Sequence, residues 1–472
     1  MTVDNIDVEA TIESVQQLLA QEPNLSPALR STLDVLLVVV KLLVNRLSLN
    51  SRNSSKPPSS DPNRDRNSQS KEGRKKRGGQ IGSIGSTLKK VDDPDEIKLL
   101  EVDRSTLPLG EYREVGFESR QVFDIDISRI VTEYRAQILE NEQGQRFMAP
   151  FPAQVTKAVQ YGNGVKIQAV YLSQFQLIPY QRIQDYFADQ LSMPISTGSI
   201  YNFNQQVFEL LAQFEQKLIV KLLVSPLLHV DETGINIEGK RQWLHCISND
   251  RLTLFYAHAK RGTEAMDAKN VLPRFTGILC HDHWKPYFSY KQCLHALCNA
   301  HHIRELECAC EQDKQQWAKE MQDLLHTILH DVYAQGGALP EKDAIHYTER
   351  YRNLLQQAEI ECPPPEINRA PGQRGRVKRS KSRNLLERLR DFEQEVLRFM
   401  TNPIVPFTNN QGENDIRMTK VHQKISGCFR SQEGADIFCR VRSYLSTCRK
   451  NNVSATTALE LLFDGKMPDF ML

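Results

Sequence analysis

Two aspartates, each set against an apolar run, constrain this chain more than any other feature. Asp231 follows LLHV within LLHVDETGINIEG, and Asp282 follows GILCH within GILCHDHWKPY. Apolar runs of this kind read as buried strands, where a carboxylate is costly unless something binds it. RQWLHCISND and LTLFYAHAK, between them, read as two more strands, and TEAMDAKNVLPRF reads as a helix. From residue 226 the order is therefore β-β-β-α-β, an α/β arrangement with an acid on its first and fourth strands. Helical stretches follow from about 291 to 360, before residue 400, and from Asn410 to the end.

Strand-borne acids point in fixed directions and adjacent strands lie close, so Asp231 and Asp282 can converge. Glu413 opens a helix after PFTNNQG and is the third candidate. Hard carboxylate oxygens suit Mg²⁺ or Mn²⁺, and two such ions ~3.5–4 Å apart can serve both oxygens of a phosphodiester displacement. Simpler readings stand beside these. Asp231 could be a turn acid paired with Lys240 or Arg241, and Asp282 a solvated strand-end acid. Asn410 and Glu413, three apart at a helix start, form a capping-box-like pattern that explains Glu413 without chemistry. Glu232 is expected to face outward or to support Asp231, and Trp284 and Tyr287 to serve packing.

Ahead of this region, residues 1–50 read as helix. Leu33, Leu37, Val40, Val44 and Leu47 form the a/d seam of a short coiled coil, so self-association is expected. Residues 51–90 form a Ser-, Pro- and Gly-rich linker whose second half is basic, including Arg74, Lys75, Lys76 and Arg77. Residues 91–155 look β-rich, through RQVFDIDI and IVTEYRAQIL. Residues 156–224 turn helical: Pro179 to Asp189, a break, then a helix capped by Ser196, the outline of a helix-turn-helix.

The net charge of the 472-residue chain is only +2, yet its bases cluster. Arg376, Lys378, Arg379 and Lys381 belong to a run between Arg369 and Arg388, and Arg417 and Lys424 lie in the tail. Two basic segments without an amphipathic basic helix favour nucleic acid over membrane. The acidic N-terminus lacks a signal pattern and no run is long enough to span a bilayer, so a cytoplasmic, nucleoid-associated protein is expected. The first 228 residues hold neither Cys nor His, which excludes a zinc site of the usual ligands there. HALCNAHHIRELECAC places Cys298 and His301 on one face of a helix, but its spacing fits no closed four-ligand site, so zinc is not expected.

Several blocks together carry a family resemblance. NSSKPPSSDP with its basic run and GGQ, then VDETG, CHDHWKPY, LCNAHHIREL, RNLLERLRDFEQEVLRFM, PFTNNQGENDIRMTKVHQKISGCFRSQEGA and RSYLSTCRK, are similar in order to the insertion sequence 66 transposases of the DDE, RNase H-like superfamily. The resemblance implies that Asp231, Asp282 and Glu413 form a catalytic, metal-holding triad. It also implies that Cys298-x-x-His301 matches a Cys/His signature placed after the second acid in several DDE transposases. Residues 91–155 would be a degenerate, metal-free zinc-ribbon-like module, and the GGQIGSIGS stretch before it has Ser83 and Ser86 where histidines are usual. Gly412 and Asn414 replace the usual Ala and Arg beside the third acid.

The expected organisation is a self-association segment (1–50), a basic linker (51–90), the degenerate module (91–155) and a helical DNA-binding region (156–224). An RNase H-like core (225–310), a helical insertion (311–400) and core completion with C-terminal helices (401–472) follow. The expected function is metal-dependent strand cleavage and transfer at the ends of a mobile element. The expected partners are terminal-repeat and target DNA, further copies of the chain and accessory proteins encoded by the element. A catalytically silent DNA-binding descendant and a structure-selective nuclease are the alternatives.

Overall fold

The computed structural model describes residues 2–3, 6–22, 25–54, 88–365 and 379–472. Short strands β1 (Thr2–Val3) and β2 (Ile6–Asp7) pair and lead into α1 (Val8–Gln21). Helix α2 (Pro27–Leu47) starts where Ser26 Oγ accepts the Leu29 N–H and a proline occupies the first turn. Leu33, Leu37 and Val40 are half-buried and Val44 is buried, with α1 against α2 and Gln312 donating to the Asn45 carbonyl. The seam expected to face another copy thus packs at least partly within the chain. Val35, Leu36, Val38, Val39, Leu42 and Leu43 stay exposed.

Of the strands expected between 91 and 155, only β3 (Ile138–Glu140) and β4 (Arg146–Met148) form, as one hairpin. RQVFDIDI and most of IVTEYRAQIL are irregular. Val122, Ile125, Ile130 and Val131 are exposed, so the alternation there has neither a partner strand nor a core to face.

Four helices then gather: α3 (Asn163–Val170), continuing as a π-turn at Tyr171–Phe175, α4 (Tyr180–Leu191), α5 (Thr197–Leu210) and α6 (Ala212–Leu223). Ser192, in the left-handed region, closes α4, and Ser196 Oγ caps α5 by accepting the Ser199 N–H, as its sequence foretold.

A five-stranded mixed sheet is the centre of the molecule. Strands β5 (Leu227–Ile237), β6 (Lys240–Ser248) and β7 (Thr253–His258) form an antiparallel meander. After α7 (Thr263–Asp267), β8 (Ile278–His281) returns parallel to β5, and β9 (Leu294–Leu297) adds parallel to β8. The order is β7-β6-β5-β8-β9.

Alternate residues of these strands face different helical layers. Leu228, Val230 and Leu279 join one core with α3–α6, α14 (Gln432–Lys450) and α15 (Ala455–Phe463). Ile278, Cys280 and Ala296 join the opposite core with α8 (Asn299–Asp313), α9 (Gln316–Ala334), α10 (Glu341–Glu361), α11 (Lys381–Asp391) and α12 (Glu393–Thr401). Helix α13 (Asn410–Ser426) crosses the β5 side, where Gln423 donates to the Gly234 carbonyl. Among the described residues no helix is long and apolar enough to cross a membrane.

Candidate active site at the carboxyl ends of the parallel strands

The register of β5 and β8 pairs Leu227 with Ile278, Leu228 with Leu279 and His229 with Cys280. Asp231 follows that paired segment by two residues within β5, and Asp282 is the first residue after β8, so continuing the register would bring them level. The two carboxylates lie within electrostatic range of each other. Asp231 Oδ1 accepts the Glu232 N–H at 2.9 Å, and Asp282 Oδ1 accepts the Trp284 N–H at 2.9 Å. Burial first, then the Glu232 charge, with Asp282 and Glu413 adding, push the Asp231 carboxyl up to about 8.

Glu413 reaches this place through Asn409. The Asn409 side chain donates to the Val230 carbonyl at 2.8 Å, leaving its Oδ1 to accept from His229 Nδ1, also at 2.8 Å. Burial holds the His229 pKa low, so the ring stays neutral with its proton on Nδ1. Asn409 thereby fastens the start of α13 to β5 immediately before Asp231. Its carbonyl accepts the Glu413 N–H at 3.2 Å, which sets Glu413 one turn into the helix. The capping-box reading of Asn410 and Glu413 fails: the cap residue is Asn409, and no side chain caps α13. A Cβ on Gly412 would lie 3.3 Å from both amide atoms of Asn409, so glycine suits this close approach.

Cys298 is the N-cap residue of α8, one residue beyond β9. Its Sγ accepts the Asn409 N–H at 3.1 Å and lies 3.9 Å from Glu413 Oε1. Burial pushes this thiol up to about 11. His301 Nδ1 is 3.9 Å from Glu413 Oε1, and that buried nitrogen has no hydrogen-bond partner. Burial and then Arg304 hold the His301 pKa down, against the charges of Glu413 and Asp282. Cys298, His301 and Glu413 thus meet, with ligand atoms within 4.8 Å of one another, and Asp231 and Asp282 lie within electrostatic range of that group but not inside it.

Glu232 faces away from Asp231, into the protein rather than out to solvent. Its side chain is 2 % exposed, ion-paired with Arg261 at 2.6 Å and hydrogen-bonded by the Tyr287 hydroxyl at 2.5 Å. Arg261 also stacks on Trp284 and Trp243, with its guanidinium carbon 4.0 and 4.8 Å from the ring centres. Tyr287 is buried as expected, and Trp284 packs against a cation. Adjacent acids on one strand point to opposite faces, and the apolar run before Asp231 held the signal that would have placed Glu232 inside.

The basic candidates separate. Glu413, Arg417, Lys420 and Lys424 recur at helical spacing along α13, and the three bases are exposed. Lys420 lies within electrostatic range of Arg241 and also feels Asp231. Lys381 is exposed at the start of α11, whereas Arg379 pairs with Glu387. Arg383, from the same basic run, is held by Glu359 and Glu387 and is structural. Arg440 and Lys450 in the tail pair with Glu215 and Asp415. Arg74, Lys75, Lys76, Arg77, Arg376 and Lys378 lie outside the described residues. Helix α5, the second of the helix-turn-helix outline, carries no Lys or Arg.

A five-stranded mixed sheet in the order β7-β6-β5-β8-β9, covered by helices on both faces, defines a mixed α/β protein, consistent with an α/β transposase fold. Residues 158–437, more than half of the chain, match the family model described as Transposase IS66 family. The chain belongs to that family: it is a transposase, an enzyme that acts on nucleic acid, with DNA as its partner. Membership also points to the use of a divalent metal. Residues 2–89 match a second model, described as Family of unknown function (DUF6444). No curated protein matches the chain.

Proposed function

We propose that this transposase is of the DDE type, cutting DNA at the ends of a mobile element and joining the freed 3′ ends to target DNA. The observation that supports the reading is the electrostatic coupling of Asp231 to both Asp282 and Glu413, with the start of α13 fastened to β5 by Asn409. The donor type suits Mg²⁺ or Mn²⁺: all three are carboxylates, and Asp231 has no cationic partner at its own oxygens among the described contacts. Bound there, such ions supply charge neutralisation and Lewis acidity at the phosphodiester.

The chain's own groups do the positioning. Asp231 and Asp282 ride on strands, Glu413 is fixed by the Asn409 fastening, and the Glu232–Arg261–Tyr287 network braces β5 against the loop after Asp282. Arg417, Lys420 and Lys424 extend from Glu413 along α13 as a track for the phosphate backbone. Lys381, exposed at the start of α11, offers a further positive charge for DNA, and the basic stretches 74–77 and 376–378 of the sequence are of the same character. Two element ends must be handled together, and the exposed apolar stripe on α2 suits pairing with a second copy.

The test is cleavage and joining of labelled DNA bearing the terminal sequences that flank the gene, with and without Mg²⁺ or Mn²⁺. Asp282→Ala and Glu413→Ala are expected to lose about 10³-fold or more in rate while still binding DNA. A Glu413→Ala variant as active as the parent would remove Glu413 from the triad. Binding without cleavage by the parent would favour the silent descendant, and cleavage indifferent to end sequence the structure-selective nuclease.

A further inference from the structure

Three potential metal ligands meet at one edge of the site. Cys298 Sγ, one ring nitrogen of His301 and one carboxylate oxygen of Glu413 all lie within 4.8 Å of one another. Both the sulfur and His301 Nδ1 are 3.9 Å from Glu413 Oε1. Tetrahedral zinc, with bonds of about 2.0–2.3 Å, spaces its ligand atoms about 3.3–3.6 Å apart. A contraction of roughly half an ångström would bring the sulfur and the ring nitrogen to that spacing from Glu413, and their own separation, at most 4.8 Å, would close by up to somewhat more than an ångström.

The surroundings are prepared for such an ion. Cys298 is 1 % exposed, sits at the N-terminus of α8 and accepts the Asn409 N–H; burial keeps the thiol protonated without metal, and a bound cation would supply the charge that deprotonates it. His301 Nδ1 is buried and unpartnered, which an acidic carboxylate and a thiol nearby do not satisfy at these distances. Three protein ligands leave a fourth position open, the pattern of a reactive rather than a purely structural site. The sequence concealed this because the third ligand comes from α13, far from the Cys-x-x-His pair.

We infer that Cys298, His301 and Glu413 form a binding site for a borderline-soft divalent ion such as Zn²⁺ or Co²⁺, adjoining the carboxylates that take Mg²⁺. The inference rests on the proposed function only in its consequence. Glu413 belongs to both ligand sets, so an ion held by Cys298 and His301 competes for it and inhibits Mg²⁺-dependent cleavage. Sulfur and imidazole select against Mg²⁺, which keeps the two sites chemically distinct.

Titration of the metal-free full chain with Co²⁺ tests this by absorption. One equivalent is expected to give a near-ultraviolet thiolate charge-transfer band and visible bands of a four-coordinate ion, both erased by Zn²⁺. Cys298→Ala should abolish the charge-transfer band. His301→Ala should weaken affinity by more than about tenfold. Cys428→Ser, at an exposed thiol remote in sequence, should change neither. Melting curves confirm that both ligand variants fold, and the two act independently. A parent without the thiolate band, or a band that survives Cys298→Ala, overturns the inference. Mg²⁺-dependent cleavage is measured on the same preparation. Cleavage without a Co²⁺ site defeats this inference alone, and a Co²⁺ site without cleavage defeats the proposed function alone.

Discussion

Replacing Asp231 by Asn should make the metal-free protein more stable and unable to gain stability from metal. The carboxyl is held at about 8 instead of its ordinary 3.8 because it is buried beside other acids. A folded-state value raised above the unfolded one means that the parent's stability is fullest below pH 4. It is lost progressively as pH rises towards 8. About four pH units at about 1.4 kcal/mol each bound the cost at about 5–6 kcal/mol above pH 8. Water entry and relaxation reduce this, and about 2–4 kcal/mol is a realistic expectation. An amide of the same shape carries no such cost.

For a cooperative unit of roughly 300 residues, unfolding entropy near 2.1 cal/mol/K per residue converts that gain to about 3–6 °C in Tm. The assay is thermal unfolding of both proteins in chelator at pH 4.5, 7 and 9, then with Mn²⁺ at pH 7. The variant-minus-parent difference should be near zero at pH 4.5 and largest at pH 9, and Mn²⁺ should raise the parent's Tm but scarcely the variant's. A difference independent of pH would refute the burial argument. Equal stabilisation of both proteins by Mn²⁺ would remove Asp231 from the metal site.

Two further predictions concern α13. Asn409→Ala leaves His229 Nδ1 and the Val230 carbonyl without their partner, so a loss of about 2–4 kcal/mol in denaturant unfolding is expected. The cleavage rate should fall with it because Glu413 loses its fastening; a variant of parental stability and rate would show that the helix start is held otherwise. Arg417→Ala, Lys420→Ala and Lys424→Ala should each weaken DNA binding across sequences and lower the slope of log affinity against log salt by about 1. An unchanged slope in the triple variant would take the phosphate track off this face.

The sheet was legible because its signals are local. Apolar runs, their turns and the acids within them lie inside single strands, so the β-β-β-α-β order and the exposure of Asp231 and Asp282 to each other follow from pattern alone. The 91–155 region misled for the converse reason. Phe123, Ile125 and Ile127 alternate as a strand does, but a strand also needs a neighbour, and that lies outside any local window. The helical seam on α2 shows a third case. Of its five residues Val44 is buried, Leu33, Leu37 and Val40 are half-buried and Leu47 is exposed, and spacing cannot say whether another copy or the chain itself covers such a face.

Glu413 is the instructive residue. At a helix start, a Glu three residues after an Asn satisfies a capping rule, so local reasoning supplies a sufficient and incorrect explanation. What distinguishes it is Asn409, whose side chain is spent on His229 and Val230 instead of on the helix. A polar side chain that caps nothing at a helix N-terminus is holding that helix to something else. Here it holds it to the strand that carries Asp231, and the same residue's N–H reaches Cys298. One asparagine thus ties the start of α13 to β5 and to the residue after β9, which is why Glu413, distant in sequence, lies beside Cys298 and His301 and within electrostatic range of Asp231.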